Sequence, residues 1–215
     1  MVDIRPFKAI TYTPKAGDIA NLIAQPYDKI DAEMQRQYYA LSPYHYCRLI
    51  LPLEPNKYEV ANERITKWLK EDIMAKETKP AIYISRQEFT LFNKRCYRLG
   101  IIAASRLYSY SENVIFPHEC TFKEPKADRL NMLRNVQKDL EPVFLMYKDP
   151  NNETIDFIKE ITKQKPFIHV TDSLMVEHTI WKVTDPEKIL HLQKIFSSKS
   201  MVITDGHHRY ESAVA

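Results

Sequence analysis

The chain has 215 residues, of which 44% are hydrophobic and 27% charged, and its formal net charge is +3. It holds only 3 glycines, far apart at Gly17, Gly100 and Gly206, which excludes the glycine-rich phosphate loops of Rossmann and P-loop proteins. No apolar run reaches the roughly 18 residues of a membrane span, no signal-peptide pattern opens the chain, and the small net charge argues against nucleic acid as a partner. Three distant cysteines favour a reducing compartment, so we expect a cytoplasmic globular protein that does not bind a membrane.

The N-terminal third of the chain is predicted to form a strand followed by helices. Residues 4–12 have the composition of a short strand, and Asp18 can cap a short helix that ends before a proline loop at 25–28. Asp31 can cap a second helix that runs to about Leu41. From Tyr58 to Lys76, apolar side chains recur at three- and four-residue spacing, which indicates an amphipathic helix.

The remaining residues alternate irregularly between strands and helices. Residues 81–91 and 96–107 are rich in Ile, Tyr and Phe and predict a β-hairpin with its turn at 92–95. The other predicted elements are a hairpin from 167–171 and 174–183, strands over 114–117, 142–147 and 201–204, and helices over 126–138, from 149, from 185 and after 205. This pattern is typical of an α+β fold, a mixed sheet with hairpins and flanking helices, in a single domain over residues 1–215.

The strongest signal for chemistry is the segment Asp205-Gly206-His207-His208-Arg209-Tyr210. A strand enters, a glycine permits a tight turn and a helix leaves, so the freed amide groups and the positive helix end predict an anion site. Arg209 can add bidentate contacts to a phosphate, and His207 and His208 can donate hydrogen bonds to its oxygens. Asp205 can hold a magnesium ion or accept a hydrogen bond from a substrate. In the alternative interpretation Asp205 only caps the helix and both histidines are exposed.

A second group of polar residues surrounds a proline-bounded loop. The group contains both cationic and acidic side chains. Phosphoryl transfer requires such a mixture, because cations offset the phosphate charge and a carboxylate takes the proton of the hydroxyl group. The interpretation assigns catalytic roles to His118, Glu119 and Asp128 and nucleotide contacts to Lys126 and Arg129. The alternative is a solvated loop followed by an amphipathic helix, with Asp128 and Arg129 exposed in its first turn.

A third candidate is Asp28, which follows Pro26 and Tyr27 in the proline loop. Its carboxylate can serve as a general base for a substrate hydroxyl, or it can merely cap the turn before Asp31. A metal ion could bind to His118, Glu119, His207 and His208 together, because imidazole and carboxylate groups are metal ligands. No H-x-x-x-H spacing supports such a site, so we expect no metal centre.

Several of these segments resemble, in order, the pattern of one prokaryotic family. The hexapeptide at 205–210 looks like its D-G-H-H-R-Y signature. Further matches are Arg5-Pro6-Phe7, Pro26-Tyr27-Asp28, Pro117-His118-Glu119 with Thr121, Pro125-Lys126, Asp128-Arg129-Leu130, Glu141-Pro142 and Asp149. The family is the one catalogued as domain of unknown function 1015, and Gln25 departs from its pattern, where proline is expected. Its members are about twice this length, and the chain stops at Ala215 just as a helix begins, so we expect a C-terminal part to be missing.

The glycine-histidine-arginine turn is also similar, more distantly, to the phosphate-binding loop of the ParB and sulfiredoxin superfamily. That superfamily includes chromosome-partition CTPases, sulfiredoxin ATPases and free-serine kinases. The resemblance implies that Gly206, His207, His208 and Arg209 contact nucleotide phosphates, and it extends less directly to Asp205. It also implies a small core formed by about residues 1–30 and 198–215, in which the strand at 4–10 lies close to the strand at 201–204 and residues 31–197 are a long insertion.

These observations lead to three functional hypotheses. The first is a phosphotransferase that uses ATP or ADP with Mg²⁺ to phosphorylate a small hydroxyl substrate, with free L-serine as the leading candidate. The second is a non-catalytic nucleotide-binding regulator of the ParB type, which should bind without turnover. The third is a phosphodiester hydrolase that depends on His207 or His208. A resemblance of fold does not decide between them, and the sequence does not indicate an oligomeric state.

Overall fold

The computed structural model describes residues 1–215 and contains both helices and strands. It has seven α-helices and eleven β-strands, which confirms the predicted α+β class. The chain forms two compact units, and each is assembled from three separate stretches of sequence. The sheet unit comprises residues 1–9, 77–119 and 144–205, and the helical unit comprises residues 10–76, 120–143 and 206–215.

The bounds of the elements are as follows. The strands are β1 (Ile4–Arg5), β2 (Ile10–Tyr12), β3 (Met74–Lys76), β4 (Ile82–Leu91), β5 (Lys94–Ile102), β6 (Ala104–Ser105), β7 (Ile115–Phe116), β8 (Phe144–Tyr147), β9 (Ile168–Thr171), β10 (Glu177–Val183) and β11 (Met201–Asp205). The helices are α1 (Ala32–Leu41), α2 (Cys47–Ile50), α3 (Lys57–Lys70), α4 (Lys123–Val136), α5 (Glu153–Ile161), α6 (Pro186–Phe196) and α7 (His207–Val214). None of these helices has the length and hydropathy needed to cross a lipid bilayer.

In the sheet unit, the largest sheet has four antiparallel strands in the order β5-β4-β10-β9. Both predicted hairpins are confirmed, since β4 pairs with β5 and β9 pairs with β10. The turn between β4 and β5 consists of Phe92 and Asn93, with φ angles of 48° and 59°. Such a pair of left-handed residues is the signature of a two-residue type I′ turn, so the turn is shorter than the predicted 92–95.

A second sheet in the same unit leads to the candidate site. Its strand order is β7-β11-β8, with β11 parallel to β7 and antiparallel to β8. β1 pairs with β6 and not with β11. The strand at 4–10, expected to lie close to the strand at 201–204, therefore does not pair with it. The ParB-like core over residues 1–30 and 198–215 therefore stays a prediction.

The predicted strand over residues 4–12 is wrong, because the structure forms two short strands there. β1 belongs to the sheet unit, whereas β2 pairs with β3 in the helical unit. Pro6 lies between them and has no N–H group with which to continue a ladder. Phe7 makes only an isolated bridge to Ala81.

In the helical unit, α3 provides the main apolar face. Ala61, Ile65 and Trp68 are buried at the predicted spacing. They share one core cluster with Leu49 of α2 and Met132 of α4. This confirms the amphipathic pattern and fixes α4, which carries several predicted site residues, against α3.

Two helix predictions fail at their ends. α3 ends at Lys70 rather than at Lys76, because Asp72 adopts a left-handed φ of 58° and the chain turns back into β3. The helix predicted after Asp18 is only a 3-10 turn, Ile19–Asn21, although the Asp18 side chain caps it by accepting a hydrogen bond from the Ala20 amide. In both cases the chain forms less helix than its local pattern favours.

Two leucines of α6 offer a matched test of the core of the sheet unit. Leu192 is fully buried, whereas Leu190 is 67% exposed on the same helix. We expect Leu192→Ala to lower the free energy of unfolding by about 3 kcal/mol, because it removes buried methyl groups and leaves a cavity. Leu190→Ala should change it by less than about 0.5 kcal/mol. Urea denaturation followed by circular dichroism measures both variants, and equal losses would contradict the core position of Leu192.

Candidate functional site

The predicted strand–glycine–helix motif is present at the junction of β11 and α7. β11 ends at Asp205, Gly206 adopts a left-handed conformation (φ 90°, ψ 31°), and α7 begins at His207. Glycine takes this conformation without the steric cost that a side chain would add. The Tyr210 amide donates the first helical hydrogen bond to the Gly206 carbonyl. The amide groups of the first turn therefore point out of the N-terminal end of α7.

Arg209 folds back over this glycine. A Cβ atom at position 206 would lie 2.9 Å from both Cζ and Nε of Arg209, so the guanidinium occupies the space that a larger residue would fill. Its Nη1 donates a hydrogen bond to the Pro142 carbonyl at 2.6 Å. A full positive charge is thus held at the end of α7 where the helix dipole is also positive.

The two histidines of the motif have different surroundings. His207 is buried, with 1% of its surface exposed. His208 is half-buried, and its Nε2 accepts a hydrogen bond from the Phe122 amide at 3.0 Å. Because Nε2 is the acceptor, the proton of a neutral His208 ring lies on Nδ1. The interpretation with two exposed histidines is therefore wrong.

A polar network fixes α7 against α4. Glu211 accepts hydrogen bonds from Thr121 Oγ1 at 2.7 Å and from Lys126 Nζ at 3.0 Å. The Ser212 hydroxyl donates to the Lys126 carbonyl at 2.9 Å and to the His208 carbonyl at 2.7 Å. Lys126, predicted to contact a nucleotide, thus has a defined role in positioning the helix that carries Arg209.

Arg129 and Asp128 lie in a second network of the helical unit, and the interpretation in which both are exposed is wrong. The Arg129 side chain is 6% exposed, and its Nε donates to Asp128 Oδ2 at 2.9 Å. Asp128 Oδ1 accepts further hydrogen bonds from Lys57 Nζ at 2.5 Å and from the Tyr58 hydroxyl at 2.8 Å. Burial alone would raise the pKa of Asp128, but hydrogen bonds from Lys57, Arg129 and Tyr58 lower it to about 2. Such a weakly basic carboxylate is a poor proton acceptor at neutral pH, so the geometry favours a positioning role over the predicted catalytic one.

Glu141 lies on the other side of the same guanidinium. Its Oε1 accepts a hydrogen bond from the Tyr27 amide at 2.9 Å, and its Oε2 lies 3.5 Å from Arg129 Nη1. The Tyr27 ring packs against that guanidinium, with its centroid 3.9 Å from Arg129 Cζ. Burial raises the pKa of Glu141, and the negative charge of Asp28 adds to the increase, although the Tyr27 amide, Arg209 and Arg129 oppose it.

Asp28 is exposed at the edge of this arrangement. It is the second residue of the 3-10 turn Tyr27–Lys29, which follows Pro26 as the predicted loop requires. Burial raises the pKa of both Tyr27 and Glu141, and the negative charge of Asp28 adds to the increase. The alternative in which Asp28 only caps the turn before Asp31 loses support, because the N-terminal cap of this turn is Pro26 and no side-chain hydrogen bond caps it.

The other three predicted site residues belong to the sheet unit. His118 and Glu119 are exposed, and Asp205 is half-buried at the end of β11. His118 Nδ1 donates a hydrogen bond to the Ile203 carbonyl, which ties the proline-bounded loop to β11. No group of three or more His, Cys, Asp or Glu side chains is arranged to hold a metal ion.

The order of these residues along the chain agrees with a known family. A family model described as "Protein of unknown function (DUF1015)" matches residues 4–215. The chain belongs to this family. The resemblance drawn from the ordered motifs is thereby confirmed, whereas the similarity to the ParB and sulfiredoxin superfamily stays a prediction. No curated protein and no solved structure matches the chain.

In this DUF1015 protein the main residue missing from the predicted site is Glu141. The sequence signal for Glu141 was the match of Glu141-Pro142 to the family pattern, but that match did not indicate a chemical role. Lys57, Tyr58 and Glu211 were also not predicted, because each reaches its partners through tertiary packing rather than through a motif. The predicted residues of the helical unit are Asp28, Lys126, Asp128, Arg129 and Gly206 to Arg209.

The low pKa of Asp128 predicts a pH dependence of stability. Its folded-state pKa of about 2 lies below the ordinary value of 3.8. The ionised carboxylate therefore contributes stability that is complete above about pH 4 and is lost as the pH falls toward about 2. We expect Asp128→Asn to lower the free energy of unfolding at pH 7 by on the order of 2 kcal/mol. The difference from the wild type should shrink between about pH 4 and about pH 2.

Chemical denaturation at a series of pH values measures this difference. The exposed Asp139, changed to Asn, is the control, and its difference from the wild type should be small throughout. A destabilisation by Asp128→Asn that stayed constant down to about pH 2 would contradict the ionised state of Asp128.

Proposed function

We propose that this DUF1015 protein is a nucleotide-dependent phosphotransferase that acts on a small hydroxyl substrate, with free L-serine as the leading candidate. One observation carries the proposal, namely the packing of the Arg209 guanidinium against Gly206 at the positive end of α7. The similarity of this loop to the phosphate-binding loop of the ParB and sulfiredoxin superfamily is a further support.

The charge arrangement at α7 favours a phosphate over a neutral ligand. The amide groups at a helix N-terminus are hydrogen-bond donors, and the aligned peptide dipoles add a partial positive charge. Arg209 adds a full charge with a planar set of donors that suits phosphate oxygens. Because Gly206 has no side chain, the guanidinium can lie directly against the backbone of the loop.

The triphosphate of ATP or the diphosphate of ADP fits this positive end, and Mg²⁺ would come with the nucleotide. In the proposal, Arg209, the Nδ1–H group of His208 and the backbone amide of His207 contact the phosphates. Glu211 and Lys126 keep the helix in position. Asp205 ends the strand that leads into the loop.

An amino-acid substrate suits the remaining charges of the helical unit. Asp28 is an exposed carboxylate beside Tyr27 and Glu141, and in the proposal it pairs with the ammonium group of L-serine. Such a substrate and a nucleotide are both found in the cytoplasm, where the three free cysteines remain reduced. The proposal involves neither nucleic acid nor a membrane.

Calorimetric titration with ATP, ADP and CTP, with and without Mg²⁺, tests the phosphate site. We expect one nucleotide to bind with micromolar affinity, and Arg209→Ala to weaken its binding at least about 100-fold, because charged hydrogen bonds to phosphate contribute on the order of 3 kcal/mol. The control is Arg134→Ala, an exposed arginine of α4 in the same unit, which should leave the affinity unchanged.

The variants also separate the hypotheses. Nucleotide affinity that Arg209→Ala leaves unchanged would refute the proposed site. Tight binding without phosphorylation of L-serine or another hydroxyl compound would favour the regulator over the enzyme.

A further inference from the structure

The carboxyl group of Glu141 lies beside the proposed phosphate site without contacting the phosphates. Glu141 is held between two segments of the helical unit, by the Tyr27 amide on one oxygen and by the Arg129 guanidinium on the other. Its side chain is 9% exposed, so it is mostly removed from water without being sealed.

The contrast with Asp128 argues against a purely structural role for Glu141. Both carboxylates flank Arg129, but Asp128 accepts hydrogen bonds from three side chains. Glu141 accepts one hydrogen bond, from the Tyr27 amide, and its contact with Arg129 is longer at 3.5 Å. When two carboxyl groups of one site have such different surroundings, the less stabilised one is the better proton acceptor.

The backbone places Glu141 next to the proposed phosphate site. Pro142, the next residue, accepts the hydrogen bond from Arg209 Nη1 at 2.6 Å. The segment that carries the carboxyl group is therefore tied directly to the guanidinium that would hold the phosphates. Asp28 lies close enough for its charge to act on Glu141, so both carboxylates lie near this segment.

We propose that Glu141 is the catalytic residue that takes the proton from the acceptor hydroxyl, and that Arg129 is the positioning residue that orients it. This inference rests on the proposed phosphotransferase function. In the step, the hydroxyl oxygen forms a bond to the terminal phosphorus of the nucleotide, and its proton moves to the Glu141 carboxylate. The bond from that phosphorus to the bridging oxygen breaks, and its electron pair leaves with the nucleotide product. Deprotonation of Glu141 by solvent restores the carboxylate.

The charges around Glu141 agree with this role. The charged groups that face it are Asp28, Arg129 and Arg209, and the neutral titratable groups are the phenols of Tyr27 and Tyr46. Burial is the largest influence and raises the pKa of Glu141 from its ordinary value of 4.5. A carboxylate with a raised pKa is a stronger base at neutral pH, and its protonation at lower pH would remove activity.

The test compares the wild type with Glu141→Gln, Glu141→Asp and the control Asp139→Asn. The glutamine keeps an amide oxygen that can accept the Tyr27 hydrogen bond, but it cannot take up a proton. Asp139 is an exposed carboxylate two residues away. Formation of phosphoserine from L-serine and ATP or ADP is followed as a function of pH, and nucleotide affinity is measured by calorimetry.

We expect Glu141→Gln to bind the nucleotide as the wild type does and to lower kcat about 100-fold or more. The acidic limb of the wild-type pH profile should have a midpoint above 4.5, should be absent from Glu141→Gln and should be shifted in Glu141→Asp. Asp139→Asn should leave kcat and its pH profile unchanged. Asp28→Asn should act mainly on KM for L-serine, whereas a fall in kcat with an altered acidic limb would make Asp28 the base instead.

The failure of this inference can be distinguished from the failure of the proposed function. Wild-type kcat in Glu141→Gln, with phosphoserine formed, would overturn the role of Glu141 and leave the phosphotransferase in place. A wild type that phosphorylates neither L-serine nor another small hydroxyl compound would overturn both. If Glu141→Gln loses nucleotide binding through misfolding, Glu141→Asp decides, since an unaltered pH profile there would refute the assignment.

Discussion

The structure of the helical unit depends on one buried positive charge. The Arg129 side chain is 6% exposed, and a guanidinium removed from water is stable only when counter-charges and hydrogen-bond acceptors surround it. Asp128 supplies the charge, the Ile50 carbonyl accepts from Nη1 at 3.4 Å, and the Tyr27 ring covers one face. Glu141 also lies 3.5 Å from Nη1, so three other segments, at residues 27, 50 and 141, meet at this guanidinium of α4.

This arrangement links the stability of the unit to the chemistry proposed for it. The hydrogen bonds to Asp128 connect α4 to the start of α3 through Lys57 and Tyr58. The contact with Glu141 instead reaches the segment that binds Arg209 through Pro142. One cation thus has a carboxylate with three side-chain hydrogen-bond donors on the side of α3 and a carboxylate with fewer hydrogen bonds on the side of α7. A substitution at Arg129 would affect both, so its effects on folding and on activity are not separable.

Local patterns in the sequence predicted the elements whose stability is local. The buried stripe of α3, the β4–β5 hairpin and the capping carboxylates of α1 and α6 each follow from residues within a few positions of one another. The end of α3 could not be found in this way, because residues 74–76 pair with residues 10–12, more than 60 positions away. Pairing with a distant strand outweighs the helical spacing of a short stretch.

In the candidate site too, contiguous residues were predicted from the sequence, and residues joined only by tertiary contacts were not. The strand, glycine and helix at 201–214 were predicted because they are contiguous, and the glycine alone indicated the turn. Glu141 was not predicted, since its contacts come from residues 27 and 129 and its significance is visible only when they are assembled. The sequence predicted a catalytic role for Asp128 and a nucleotide contact for Arg129, with an exposed pair as the alternative. Nothing local reveals that Lys57 and Tyr58 hydrogen-bond to Asp128.

The division of each unit into three stretches has a consequence for synthesis on the ribosome. The chain passes from one unit to the other after residues 9, 76, 119, 143 and 205. A unit that begins at residue 10 therefore lacks one of its helices until residues 206–215 have emerged. Contacts between segments so far apart in sequence form slowly, because closing the long loop between them costs conformational entropy before the contacts stabilise it. The helix that carries Arg209 therefore joins its unit only after the stretches at 10–76 and 120–143 have been synthesised.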